Sequence, residues 1–441
     1  MFLTKVQGLA PAQGSVKPTV GFTFNEVNAR LRAAGRFFAR RMRLAKLAGL
    51  LEYRANFPHG IGRMERNLRA YSLIKTLFAL IALATCACHR EVVLPPLPLR
   101  NITLTDKFFD VWPTSPTRAF VVGDRGKVLL TEDGGRNFKR IDIGTQLGVF
   151  GIQMADDRIG YLCGQDGLVM RTRDGGKSWE RLNSRTHLFI FGLSFPDALH
   201  GFFVGDRALV MSTTNGGESF IKRQLQRLFP QELADYALPY EEPVLYSASF
   251  LDADHGWVVG ELGRIWATEN GGKSWAEQQQ SLVAQWKRPL GPGDDARFPD
   301  FILPTLFSVS FRDQKHGAAC GLEGWVVQTD DGGKSWRFAH QSDKPGAAPD
   351  TLVPGAAQIP ARDPLFSIDL FAGDNGITTG LTGSVLRLQP NGAWAHDPSV
   401  PAIPFPLSQV RFFDAQHGWI VGYGTILYTE DGGKSWRLCQ G

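Results

Sequence analysis

Two sets of residues in this 441-residue chain have types and spacings that could do chemistry. One is acidic: Asp133, Asp174, Asn215, Asn270, Asp331 and Asp431 each stand two residues after a threonine and directly before a glycine pair, in strings such as TEDGGKSW at 429. The other is imidazole: His200, His255, His316 and His417 each precede a glycine. Repeated acids suggest calcium, but these strings lack the alternating oxygen ligands and terminal glutamate of a helical calcium loop. Repeated histidines suggest zinc, which needs ligands converging on one tetrahedral point. Residues that recur once per repeat are spread apart instead, so both sets are expected to stabilise turns, and no metal or other cofactor is expected.

The remaining candidates are cysteine and the carboxylate pairs of sugar hydrolysis. Cys163 and Cys320 fall at the same place in two repeats, which predicts buried, well-separated thiols, and Cys439 near the end is expected to be a free thiol. Sialidases resemble one another in an Arg-Ile-Pro segment, three arginines and a tyrosine with a nearby glutamate. Here that segment is missing, and no tyrosine outside the links, where Tyr240 stands near Glu241 and Glu242, has an obvious acidic partner. A non-enzyme is expected, with a carbohydrate-active propeller as the alternative.

The elements that carry these residues come in copies. A first-strand signature recurs as FGIQM at 150, FGLSF at 191, YSASF at 246, FSVSF at 307 and FSIDL at 366, with looser forms at 108 and 407. A second recurs as AFVVG, GYLCG, GFFVG, GWVVG, GAACG, GITTG and GWIVG. Short apolar runs divided by turn signals indicate antiparallel hairpins. Four such strands repeated seven times predict an all-β, seven-bladed β-propeller over residues 105–441, because radial closure removes exposed sheet edges. An eighth blade would have to hide near 281–304, where WKRPLGPGDDARFPD reads as loop. NITLT at 101 could supply an outer strand to the last blade.

In the threonine-to-tryptophan turn, the Asp or Asn accepts bonds from turn amides and the glycines supply positive φ. Trp179, Trp275, Trp336 and Trp436 then bury a large ring against a neighbouring strand. These turns follow the third strand, so they belong on the rim opposite the inter-blade links. The links at 221–244, 277–304, 338–364 and 395–406 are long and irregular, and long structureless loops are usually functional or disordered. They would share a face with the turns after the second strands, whose charges are Asp124, Arg125, Asp166, Asp206, Arg207, Glu261, Arg264 and Glu323. That face is the candidate binding surface.

Charge narrows the partner. The chain carries +5 overall, yet residues 1–63 alone hold eleven Lys/Arg against two Asp/Glu, and residues 89–441 hold 34 against 40. The folded part therefore offers no phosphate-binding footprint, and nucleic acid is not expected. Residues 64–88 place Arg66, Arg69 and Lys75 before an apolar run and then Cys86 and Cys88, the layout of a signal peptide. The run is shorter than the ~20 apolar residues of a membrane span. Ala87 favours Cys88 as a lipid-modified residue, with Cys86 second and ordinary cleavage after Ala84 or Ala87 the alternative. Met64 is then the natural start, unless the Arg-rich leader forms a surface-bound amphipathic helix. Residues 89–104 are a proline-rich spacer. Export to the periplasm follows.

The glycine-pair turn resembles the Asp-box of sialidases and sortilin-type receptors. The full pattern, F-S-V-x-F, then D-x-x-H-G-W-x-V-G, a hairpin and T-x-D-G-G-K-S-W, resembles the seven-bladed photosystem II assembly and stability factors and their relatives in non-photosynthetic bacteria. Blades four, five and seven match best. Blade one reads TRAFVVG without the His-Gly-Trp step, and blade six has a shortened box, QPNGAW. The resemblance implies a non-catalytic, monomeric scaffold that holds a membrane-protein assembly intermediate, in some members through an arginine-rich surface. A sortilin-like receptor, with a ligand in the central channel, is a further alternative.

Overall fold

The computed structural model describes residues 102–225, 227–228, 240–285, 303–340 and 363–440. The leader, the signal-like segment with Cys86 and Cys88, nearly all of the spacer and the middles of three long links lie outside the described residues.

Each repeat folds into one antiparallel sheet of four strands in chain order. Blade 1 consists of Phe108–Pro113, Ala119–Gly123, Val128–Thr131 and Lys139–Ile141. The first strands of blades 2 to 7 are Val149–Met154, Ile190–Ser194, Leu245–Phe250, Leu306–Phe311, Leu365–Phe371 and Leu407–Phe412. Each first strand touches those of both neighbouring blades, and the last touches that of blade 1. This is the expected seven-bladed propeller, with the first strands innermost.

Second strands explain why the blades stack. AFVVG, GYLCG, GFFVG, GAACG and GWIVG are buried along their whole length, which suits apolar runs flanked on both faces by other sheets. Aromatic residues at or just past the ends of the first strands then lie flat on the blade before: Phe195 on Tyr161, Phe250 on Phe202 and Phe311 on Trp257, at centroid distances of 3.7, 3.5 and 3.5 Å. Trp275 and Trp336 meet the same Phe250 and Phe311 edge-on at 6.1 and 5.8 Å. Gly256, near the start of the second strand of blade 4, has no side chain because a Cβ there would run into the Phe250 ring.

An innermost strand has one edge with no strand beside it, so its amides need other acceptors. Side chains of the preceding blade supply them in two tiers. In the upper tier Ile152, Val309, Ile368 and Val410 donate to Asp110, Ser247, Ser308 and Ser367 at 2.8–3.3 Å. In the lower tier Phe195, Phe250, Phe311, Leu370 and Phe412 donate to Gln153, Ser194, Ser249, Ser310 and Asp369. Each such bond contributes about 1 kcal/mol net, and leaving a buried amide unpaired would cost more.

Three expectations about irregular segments change. The outer strand of blade 7 is Arg437–Leu438, paired to Leu427 and Tyr428, so each blade is one continuous stretch and NITLT supplies no strand. Instead Ile102 packs as a side chain between blades 1 and 7. The link at 277–304 is not wholly irregular: Gln280–Gln285 is a helix whose Leu282 is buried with Trp325 and Trp336. Ser281 and Gln285 there bond the Trp336 carbonyl, so this link begins against the outer part of blade 5. The link at 221–244 contains a short pairing of Arg227–Leu228 with Tyr240–Glu241.

Candidate functional site

The glycine-pair turns are joints. In blade 2 the Thr172 hydroxyl accepts from the Gly176 amide at 2.9 Å and donates to Asp174, and Asp174 accepts from the Lys177 and Ser178 amides and the Ser178 hydroxyl. Asp133, Asn215, Asn270, Asp331 and Asp431 repeat the arrangement. Gly175 and Gly176 adopt φ of 75° and 85°, a region where a Cβ is strained, and a Cβ on Gly176 would also enter the Phe120 ring of blade 1. Neighbouring blades reach into these turns: Arg118 donates to the Gly175 carbonyl at 2.8 Å and Arg387 to that of Gly433 at 2.9 Å. Arg437 likewise donates to the Gly134 carbonyl across the closure. Trp336 and Trp436 are buried, and Trp179 and Trp275 partly so. The Ser178 hydroxyl and amide hold the Asp174 carboxyl down at about 2, and Ser435 does the same for Asp431.

Each repeated histidine is tied within its own turn. His200, His255, His316 and His417 place Nδ1 at 2.8–2.9 Å from the aspartate three residues earlier, Asp197, Asp252, Asp313 and Asp414. Although partial burial pushes it up, the bonds from His316 keep Asp313 at about 2.

The two rims separate as the meander requires. Gly134 and Gly175 donate to the carbonyls of Thr117 and Arg158, in the turns after first strands, so boxes and first turns share one rim. On the other rim the amides of Gly167 and Ala208, in the turns after second strands, donate to Leu188 and Pro243 in the links.

Seven of the eight named charges stand on that link-side rim with some exposure. Arg125, Asp166, Arg207 and Glu323 occupy one equivalent place in their turns, with φ of 54°, 52°, 56° and 57°. Left-handed backbone at a non-glycine residue costs about 1 kcal/mol or more, and here it lifts the side chain to the rim. Asp124 lies 4.0 Å from Arg125, Asp166 bonds His187 at 2.7 Å, and Asp206 accepts from the Phe189 amide. Glu261 accepts from the Val244 amide at 2.9 Å. Arg264 is the exception, because it is fully buried. Its equivalents Leu168, Leu209 and Trp325 are buried as well, and Lys127 of blade 1 is partly buried and paired with Asp106 at 2.6 Å, so the position after the left-handed pair is shielded in these blades.

Between these turns and the axis lies a feature that the repeat signature contained without assigning. Phe109, Phe150, Phe191, Tyr246, Phe307 and Phe366, the second residues of the inner strands, are half-exposed. Burial, with Glu261 and Asp206 nearby, raises the Tyr246 hydroxyl above its ordinary value. Among the described residues no group of three or more His, Cys, Asp or Glu forms a metal site.

Comparison with known proteins accords with the resemblance in the motifs. Residues 96–189, spanning blades 1 and 2, match the family described as photosynthesis system II assembly factor YCF48. No curated protein matches the chain. A structure of YCF48 bound to D1 peptide is 16% identical and covers 68% of this chain and 83% of that one, with a TM-score of 0.48. YCF48 from Cyanidioschyzon merolae is 22% identical and covers 68% and 87%, with a TM-score of 0.47. An ancestral GH74 enzyme is 14% identical and covers 77% and 47%, with a TM-score of 0.53, a likeness of fold alone. The chain is thus a seven-bladed propeller whose first two blades are similar to that family.

Proposed function

We propose that this chain is a non-catalytic, monomeric scaffold that binds a protein partner, a membrane-protein complex or its assembly intermediate, through the link-side rim. The observation that carries the reading is the match of residues 96–189 to the assembly-factor family. A rim built from turns whose left-handed residues are mostly charged is consistent with it. One relative binds a D1 peptide, which supports a polypeptide ligand here. The signal-like segment supports export to the periplasm, with Cys88, or else Cys86, as the lipid-bearing residue that would tether the propeller to a membrane.

Affinity capture tests this. Mature protein incubated with detergent-solubilised membranes at low salt is expected to retain one membrane protein in stoichiometric amount. Absence of such a partner contradicts the reading. The fold likeness to an enzyme of sugar chemistry motivates a parallel screen on sialosides and other glycosides, in which turnover would replace the scaffold with a hydrolase.

A further inference from the structure

Seven β-bulges lie at one level of the ring. In every blade the pairing of first and second strands skips one residue near the link-side end: Phe109, Phe150, Phe191, Tyr246, Phe307 and Phe366 in blades 1 to 6, and Ser408 in blade 7. The residue before each bulge, from Phe108 to Leu407, is buried between blades, whereas the bulged residue is half-exposed. A bulge re-aims a side chain, and here it brings each ring against the ring of the next blade. Consecutive centroids lie 5.4, 5.3, 5.5, 5.2 and 5.6 Å apart. Six rings therefore form an unbroken arc about the axis, open at Ser408.

Core packing does not call for this arc, because the preceding residue already fills the space between blades. Contiguous aromatic surface left in contact with solvent marks interaction sites. Its surroundings specify the ligand. The adjoining turns carry Asp124, Asp166, Asp206, Glu261 and Glu323 against Arg125 and Arg207, and each arginine has an acid within 4.0 Å, Asp124 or Glu242. The Tyr246 hydroxyl lies 3.5 Å from Glu261. Aromatic faces are themselves electronegative and attract cations. At the open side Phe405, in the link into blade 7, and Leu104, ahead of blade 1, are exposed, and Leu104 lies against Gly424 in the turn of blade 7.

We infer that the arc is a collar for one apolar side chain of an extended partner segment flanked by lysine or arginine, with the chain leaving over blade 7. The inference rests on the protein-binding reading and gives the chemistry of that site.

Fluorescence anisotropy of the full chain with dye-labelled Lys-Arg-Phe-Leu-Lys-Arg tests it. Replacing the apolar pair of the peptide by alanine, or its flanks by Glu-Asp, is expected to weaken binding about tenfold or more. Phe307→Leu with Phe366→Leu is expected to do the same. Ser408→Arg places a cation in the gap without removing any ring, and an unchanged urea midpoint for this variant separates its loss of affinity from misfolding. Equal binding of all three peptides, or unchanged affinity in Ser408→Arg and the ring variant together, overturns the collar. Capture of the membrane partner undiminished by Ser408→Arg would reject the collar and leave the scaffold standing. Collar-dependent peptide binding without membrane capture would support the collar and reject the membrane-complex partner.

Discussion

Gln409 donates its side-chain amide to Oδ1 of Asp110 at 2.8 Å, joining residues 299 positions apart. The same carboxylate accepts from the Ile152 amide of blade 2 through Oδ2 at 2.8 Å. One buried side chain thus links the last blade to the first and the first to the second. Closure needs no exchanged strand because the inner-strand side chains, together with Arg437 and Tyr428 bonding Gly134 and Pro116, perform it.

Removing that link should loosen the ring. Asp110→Ala orphans the Ile152 amide and the Gln409 amide group in a buried setting, and is expected to cost about 3 kcal/mol. Gln409→Ala removes one donor and should cost about 1 kcal/mol. Urea unfolding followed by tryptophan fluorescence reads both, and equal, negligible shifts would show that closure does not depend on this contact.

Acid should unfold the protein through its turns. Asp174, Asp313 and Asp431 are held at about 2, and Asp133, Asp197, Asp252, Asp331 and Asp414 lie below their usual value. Unfolded, all titrate near ~3.9. Their stabilisation is therefore complete above about pH 4 and lost as pH falls toward about 2. Burial raises Asp110 and Asp369, whose contribution has the opposite sign, being present at low pH and lost as pH rises through their folded values. Eight against two, the turns decide, and the urea midpoint should fall between about pH 4 and pH 2. Asn215 and Asn270 already serve in the same turn, so Asp331→Asn with Asp431→Asn should change stability at pH 7 by no more than ~0.5 kcal/mol per site and flatten the acid slope.

Much of this was legible in the sequence because repetition averages over local ambiguity. Blade number, strand order and the rim of the glycine pairs all followed from spacing. Arg264 was misplaced because a charged residue in a turn reads as exposed, whereas alignment with Leu168 and Trp325 marks an inward position. The Gln280–Gln285 helix was hidden in a segment whose glycine and proline lie farther on. The collar residues were visible as a recurring aromatic, but only the register skip shows that they leave the plane of their strands.

Thiol reactivity should separate core from leader. Cys163 and Cys320 are buried and their thiols raised, that of Cys320 to about 12, and burial pushes Cys439 up to about 11. Thiolate is the reactive form. Peptide-resolved iodoacetamide labelling of the native protein should leave these three unmodified until urea unfolds the blades, and fast native labelling of Cys163 or Cys320 would contradict the buried positions found for them.

The central claim is that the link-side rim, and not the rim of glycine-pair turns, meets the partner. Site-specific photo-crosslinking compares them directly, with p-benzoylphenylalanine at Arg125, Arg207 or Glu323 on one rim and at Lys177 or Lys334 on the other. The account predicts crosslinks to one membrane protein from the first three positions and none from the last two. Crosslinks confined to Lys177 and Lys334, or equal from both rims, would contradict it.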